Sequence, residues 1–338
     1  MIELGYYAAV GPHSDSEMLD YAVMADKYGI DTIWCGDHFH PFAHEGSRGC
    51  GLAWVWMAAA AERTKRSKIG CAVTAPIIKY NPAVVAQAYA TLGALYPGRI
   101  VMGLGAGEAM NEIPVGCEWP HARERIERLE EAIKIIRLLW NESFVDFEGK
   151  YFSLRQANLY TKPEIPIDLC VAADLSPRVA KLAGKYADAF ITTASHHDYT
   201  HILLPALEEG TREGGRRHDA VKKILGLGVA YDEDYDKAIS TSRYWAGGFS
   251  SAAFSQPIYD PREIDKLGRN VSDKQIGERL LVCTSAEDFI KPIEEWVKLG
   301  FGHVYLSCNS QDHSKFLKMY GEKLLPALRA IYGSDQDA

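Results

Sequence analysis

The chain has little that would tie it to a nucleic acid, a membrane or an oxidising compartment. Basic residues do not dominate: 37 Lys and Arg stand against 45 Asp and Glu, a net charge of −8. The basic stripe that a phosphate backbone attracts is therefore missing, and no nucleic-acid partner is expected. No apolar run reaches the ~18 residues of a membrane-spanning helix, so no membrane partner is expected either. Met1 leads directly into Ile2-Glu3-Leu4-Gly5-Tyr6-Tyr7, which reads as a strand and not as the charged and apolar regions of a signal peptide. The seven cysteines (35, 50, 71, 117, 170, 283 and 308) make an odd count without C-x-x-C spacing. They read as buried thiols in a reducing cytoplasm. Internal repeats and low-complexity segments are also missing.

What is present is an ordinary globular mixture, 47% apolar and 24% charged over 338 residues. A chain of this length buries roughly 75% of its unfolded surface and needs no disulfide or metal staple. Short apolar runs at 3–10, 32–36, 68–75, 100–105, 167–173, 189–193, 224–230 and 303–308 lack clean alternation, as strands buried on both faces do. Helical patterns lie between them at 16–28, 54–63, 83–95, 123–140, 177–186, 201–213 and 285–299, with a last one at 312–331. Eight strands in strict alternation with helices predict a parallel (β/α)8 TIM barrel, α/β in class, forming a single domain over 1–333. Two insertions are expected, at about 142–166 and 232–278, with a frayed tail at 334–338. The first looks like a hairpin around Glu148-Gly149. The second is aromatic and Gly/Ser-rich (Trp245, Phe249, Phe254) and would fold over the barrel mouth as a lid.

In such barrels the chemistry lies at the C-terminal ends of the strands. The second strand ends in Asp37-His38, a titratable ring beside a carboxylate, which suits proton transfer near neutral pH or a loop histidine that merely caps the next helix. His38, His40 and His44 also have the look of a metal cluster, which would make the chain a metal-dependent hydrolase. The fourth strand ends in Gly103-Leu104-Gly105-Ala106-Gly107, where a ligand can approach the backbone, followed by the carboxylate of Glu108.

Four segments carry a family resemblance: Asp37-His38-Phe39-His40-Pro41, Lys79-Tyr80-Asn81-Pro82-Ala83, Leu95-Tyr96-Pro97-Gly98-Arg99, and Gly105 through Glu112. They resemble the bacterial-luciferase-like barrels, specifically the branch that uses the deazaflavin coenzyme F420. Within that branch the archaeal secondary alcohol dehydrogenases and the actinobacterial glucose-6-phosphate dehydrogenases come near. The resemblance implies hydride transfer between the deazaflavin C5 and a carbinol carbon, with the protein positioning groups and moving protons. It implies His38 as base, Asp37 as the group that orients it, and Glu108 as a proton carrier beside the deazaflavin. It implies coenzyme contacts from Asp37, Ala72, Val73, Ala75, Gly107, Glu108, Asn111, Ala173, Leu175 and Ser176, with a cis peptide at Ala72-Val73. It implies substrate contacts from His38, Phe42, Trp245 and Arg279, no metal, and a homodimer whose face includes Trp54, Trp56, Leu95 and Tyr96.

The chain departs from the family pattern in four places. Phe42 stands where a Trp is usual, and Phe cannot donate a hydrogen bond. Gly11 stands where a Glu is usual, with His13 two residues on. Asp174, Leu175 and Ser176 replace the glycines of the phosphate-side loop. Arg279 matches the arginine that holds a sugar phosphate, but Ser195 and Ser255 stand where two lysines would be. A small secondary alcohol is thus preferred as substrate, with glucose 6-phosphate as the alternative. A barrel that holds the coenzyme without turning it over is a third reading. Glu112 or Glu278 would partner Arg279 if that residue only braces the lid.

Overall fold

Ser14 opens the first helix (Asp15–Tyr28) with a reciprocal cap: its hydroxyl takes the Glu17 N–H, and Glu17 Oε2 takes the Ser14 N–H at 2.8 Å. Gly29 closes it in the left-handed region, at φ 85°, where a side chain would be strained. This grammar recurs along the chain and sets the strands at regular intervals. The computed structural model describes residues 2–250 and 256–333, so Phe254, Ser255 and the tail 334–338 lie outside the described residues. In chain order the strands are β1 (Glu3–Ala8), β2 (Thr32–Cys35), β3 (Lys68–Thr74), β4 (Ile100–Leu104), β5 (Val145–Glu148) and β6 (Ser153–Ala157). They continue with β7 (Asp168–Ala172), β8 (Ala189–Thr192), β9 (Lys222–Tyr231), β10 (Leu281–Cys283) and β11 (His303–Cys308).

The chain forms two compact units, one of residues up to Ser67 with those from Lys223 onward, the other Lys68–Lys222. In the first, β11 pairs with β9 and β1, and β1 with β2, all parallel. Its interior is polar-aromatic at the base: the Trp34 indole N–H donates to Thr32 Oγ1 at 2.9 Å, and Thr32 Oγ1 meets His303 Nε2 at 2.8 Å. In the second, β4 pairs with β3 and β7, and β7 with β8, again all parallel. Eight of the eleven strands are those of a (β/α)8 barrel: β1 to β4, β7 to β9 and β11. They match the eight strands expected, and β5–β6 is the antiparallel hairpin expected around Glu148-Gly149.

The structure adds detail in two places. Within the insertion expected at 232–278 the described residues form helices at Tyr235–Thr241, Pro261–Gly268 and Asp273–Arg279 and a 3-10 stretch at Arg243–Phe249. These helices are seven or eight residues long, too short to leave a periodic trace. The helices expected at 201–213 and 312–331 each contain a π turn, Tyr199–Leu203 and Tyr320–Leu324, followed by a Leu-Pro step. Pro205 and Pro326 have no N–H to give the turn before them, and the wider turn absorbs the loss.

Candidate functional site

In the first unit the end of β2 delivers Asp37 and His38. Asp37 is 4% exposed, so its carboxylate is held out of water while the His38 ring is partly open. Gly36 makes room for this: a Cβ there would lie 2.5 Å from the Tyr7 hydroxyl and 2.7 Å from His38 Cδ2. The hydroxyl of Tyr7, on β1, and the His38 ring thus both border the space that a Gly36 side chain would fill. Sequence reasoning missed Tyr7, because a Tyr in an apolar run reads as core. Its signal was the small residue beside the histidine.

His38 lies edge-on to Phe42, ring centroids 4.9 Å apart, and Phe42 lies 6.2 Å from Trp245 of the Arg243–Phe249 stretch. Trp245, from the segment expected to fold over the barrel mouth, thus packs against the ring that flanks His38. Its anchor is Tyr244, whose hydroxyl is 2.6 Å from Ser47 Oγ and packs directly over Gly11. Gly11 has φ 119°, and a Cβ there would collide with that hydroxyl, so the space of the missing side chain belongs to the lid. Burial raises the Tyr244 hydroxyl to about 12. His40 gives its Nδ1 to the Tyr259 carbonyl at 2.8 Å, and the backbone N–H of His44 donates to Asp265. Among the described residues no group of three metal-capable side chains gathers, so the metal-cluster alternative for His38, His40 and His44 finds no support. His13 turns away as well: it is buried against His313, rings 4.6 Å apart, and burial pushes His313 down to about 3.

Arg279 ends the helix Asp273–Arg279, exposed and without a carboxylate partner among the described residues. The braces expected for it are engaged elsewhere. Glu278 faces Lys274 at 3.8 Å, and Glu112 Oε2 takes the Lys79 backbone N–H at 2.8 Å. The neighbouring guanidiniums are matched: Arg243 with Asp273, Arg262 with Asp260, Arg269 with Glu45.

In the second unit the strand ends present small residues. Ala72-Val73 is a cis peptide, as expected, and the β3–β4 register shifts there. Gly103 and Gly105 were expected to admit a ligand, but their missing side chains admit β3. A Cβ on Gly103 would strike the Cys71 carbonyl, and one on Gly105 would lie 2.5 Å from Val73 Cγ2. Gly107, at φ 75°, is close-packed as well: a Cβ there would lie 2.9 Å from Ile77 Cδ1 and 3.4 Å from Glu112 Oε1. Ala75 and Ala173, just past β3 and β7, are small and buried. Polar groups follow Gly107 in the chain. Asn111 donates from Nδ2 to Glu108 Oε2 at 3.2 Å. Glu108 is raised from the usual 4.5 to about 7, first by burial and then by the nearby charge of Asp174. Asp174 is fixed by the Thr193 N–H at 2.6 Å and the Thr193 hydroxyl at 2.9 Å. Leu175 is 72% exposed, and Ser176 caps the helix Pro177–Tyr186. Ser195 caps the turn His196–Asp198 and offers no positive charge. Small residues and backbone suit the edge of a flat ring, with Asn111 and Glu108 as its polar partners.

The profile of the luciferase-like monooxygenase family matches residues 5–303. The F420-dependent glucose-6-phosphate dehydrogenase of Microbacterium testaceum (strain StLB037) is 38% identical over 330 residues, 97% of this chain and 98% of that protein. The enzyme of that name from Nakamurella multipartita is 37% identical over 334 residues, 98% of each. The solved structure of an F420-dependent secondary alcohol dehydrogenase in complex with an F420-acetone adduct is 38% identical, with a TM-score of 0.92 over 97% of this chain and 99% of that one. The coenzyme F420 dependent tetrahydromethanopterin reductase from Methanopyrus kandleri, 20% identical with a TM-score of 0.78 over 96% of this chain and 99% of that one, shares the fold.

Proposed function

The chain belongs to the luciferase-like monooxygenase family, and from that premise we propose that it is an F420-dependent oxidoreductase acting on a small secondary alcohol or its ketone. The observation that supports the alcohol is the wall beside the base: His38 against Phe42, and Phe42 against Trp245. An anionic phosphate placed against apolar rings would lose its hydration without enough partners. Arg243, Arg262 and Arg269 are already paired with carboxylates.

When bound, F420 supplies two-electron hydride chemistry at C5 and no one-electron chemistry. The chain's own residues supply the rest. His38 takes the hydroxyl proton as hydride leaves the carbinol carbon, and Asp37, buried beside it, orients the imidazole and stabilises its charged form. Ala72, Val73, Ala75, Gly107 and Ala173 would seat the ring, and Asn111 would hold its polar edge. Leu175 and Ser176 flank its phosphate side. Glu108, with a pKa of about 7, both holds and releases a proton at neutral pH.

Arg279 favours a second reading, oxidation of a sugar 6-phosphate, because its guanidinium lacks a carboxylate among the described residues. Purified protein with F420 and either 2-propanol or glucose 6-phosphate, as wild type and as Arg279→Ala, separates the two. We expect both proteins to bleach the coenzyme with 2-propanol. Turnover of glucose 6-phosphate alone, lost in Arg279→Ala, would replace the first reading with the second.

A further inference from the structure

Two buried histidines take no part in the proposed chemistry. His13 follows β1 and is 6% exposed, and His313 opens the helix His313–Met319 after β11 and is fully buried. Their rings lie 4.6 Å apart, and Tyr21 packs against both, at 5.2 Å and 5.3 Å. The Tyr6 hydroxyl meets His313 Nδ1 at 2.5 Å. The Nε2 atoms of both rings are buried without a hydrogen-bond partner among the described residues. A charged imidazole donates from both of its nitrogens, so a proton added to either ring would bury a cationic N–H that has no acceptor. The groups around the pair do not offset this. Glu17 and Asp312 favour charge on His13 and Arg48 opposes it, while the Cys308 backbone favours charge on His313 and His13 opposes it. Tyr6 and Tyr21 are held neutral by their own burial. Burial of the imidazoles outweighs the favourable groups and keeps both histidines below their ordinary value.

The pair joins two segments, and one of them seats the lid. His13 lies in the loop of Gly11, whose carbonyl accepts from the N–H groups of Arg48 at 2.7 Å and Gly49 at 3.3 Å. Ser47, next to Arg48, is the residue whose Oγ stands 2.6 Å from the Tyr244 hydroxyl, and that hydroxyl packs over Gly11 itself. His313 fixes the other end, on the helix that follows β11. We propose that the His13–His313 pair is an acid-sensitive latch: when the pair takes up protons, the loop of Gly11 parts from the helix His313–Met319, and Tyr244 loses its seat. Once parted, the rings reach water and titrate as free histidines do, at about 6.5. Below that pH the open form binds protons that the closed form refuses, so opening grows as pH falls, and above it the latch stays shut. The device acts on the 3-10 stretch Arg243–Phe249, whatever the substrate.

Hydrogen exchange read by mass spectrometry, corrected for the pH dependence of the exchange chemistry, follows the backbone amides of Arg243–Phe249 without coenzyme or substrate. From pH 6 to pH 5 their exchange in the wild type should rise about 8-fold if opening takes up one proton and about 60-fold if it takes up two. The helix Pro177–Tyr186, in the other unit, should stay unchanged. His13→Phe combined with His313→Asn keeps a ring at the first position and a polar group for Tyr6 at the second, with nothing left to titrate. That variant should exchange equally at both pH values, and His13→Phe alone should rise by no more than the one-proton amount. Exchange of Arg243–Phe249 that ignores pH in the wild type, or rises as much in the double variant, would overturn the latch. A rise shared by Pro177–Tyr186 would do the same, because it reports loosening of the whole fold. The wild type decides the matter even if the double variant does not fold. With 13C-labelled histidine, two imidazoles should keep their neutral NMR signals from pH 7.5 to pH 5.5, and titration of all the histidines near 6.5 in the folded chain would end the proposal.

Discussion

Glu108→Gln should make the protein more stable at alkaline pH and nearly leave it alone at acid pH. The reasoning starts from a carboxyl raised from 4.5 to about 7 by burial and by the charge of Asp174. Between those two values the unfolded chain has released the proton while the folded chain still holds it, so stability falls as pH rises through that window. Above about 7 the group ionises in the folded protein too, and the penalty stops growing. Each pKa unit is worth about 1.4 kcal/mol, so the full displacement amounts to up to about 3 kcal/mol. At pH 5 it is below about 1 kcal/mol. Gln keeps the shape and the acceptor that Asn111 Nδ2 reaches at 3.2 Å, and it has no charge to bury. Urea denaturation of wild type and variant at pH 5 and pH 8 measures the difference directly. Asp174→Asn, in a wild-type background, should recover part of the same stability at pH 8. A gain independent of pH, or a loss at pH 8, would show that Glu108 is ionised at neutral pH and carries no proton for the reaction.

Three further outcomes are expected. His38→Ala should lower turnover by about 10²- to 10⁴-fold, the span of a general base, with F420 affinity preserved; turnover within a few-fold of wild type would take the base role from His38. Gly11→Ala should cost about 1–3 kcal/mol, from the φ of 119° and the collision with Tyr244, and should raise KM more than it lowers coenzyme affinity, since the lid helix is displaced; an unchanged melting temperature would contradict the lid's dependence on that glycine. We propose that the chain is a homodimer, and the exposed Val55 (66%) and Leu95 (63%) are the side chains that a partner would cover. Val55→Asp should then yield a monomeric mass by light scattering, whereas a monomeric wild type would end the proposal.

The barrel was legible because its strands are buried on both faces and its helices carry strong end signals, such as the Ser14–Glu17 cap and Gly29. The lid helices were illegible for the opposite reason: they are about two turns long and are held by packing, as Ile276 is among Ala238, Ile239 and Leu280. β10 has three residues and no pattern of its own. The site residues divide in the same way. Asp37, His38, Glu108 and Asn111 stand in motifs at strand ends, which is why the sequence singles them out. Glycine was ambiguous, since the sequence does not distinguish one that admits a ligand from one that admits a neighbouring strand, and the structure gives Gly103 and Gly105 to the latter. Trp56, expected on a dimer face, is 8% exposed and donates its indole N–H to the Asp15 carbonyl, an inward orientation that its alternation with Trp54 left undecided. The space over Gly36 that Tyr7 and His38 border depends on residues far apart in the chain, and no local pattern announces it.

The central claim is that hydride passes directly between the carbinol carbon of a substrate and the deazaflavin. Single-turnover reduction of F420 by 2-propanol carrying deuterium on its carbinol carbon tests it, with the reduced coenzyme analysed by mass spectrometry and NMR. We predict one deuterium on C5, no loss of label to water, and a slower bleaching phase than with unlabelled 2-propanol. Reduced coenzyme without label, or no reduction by 2-propanol at any concentration, would contradict the account.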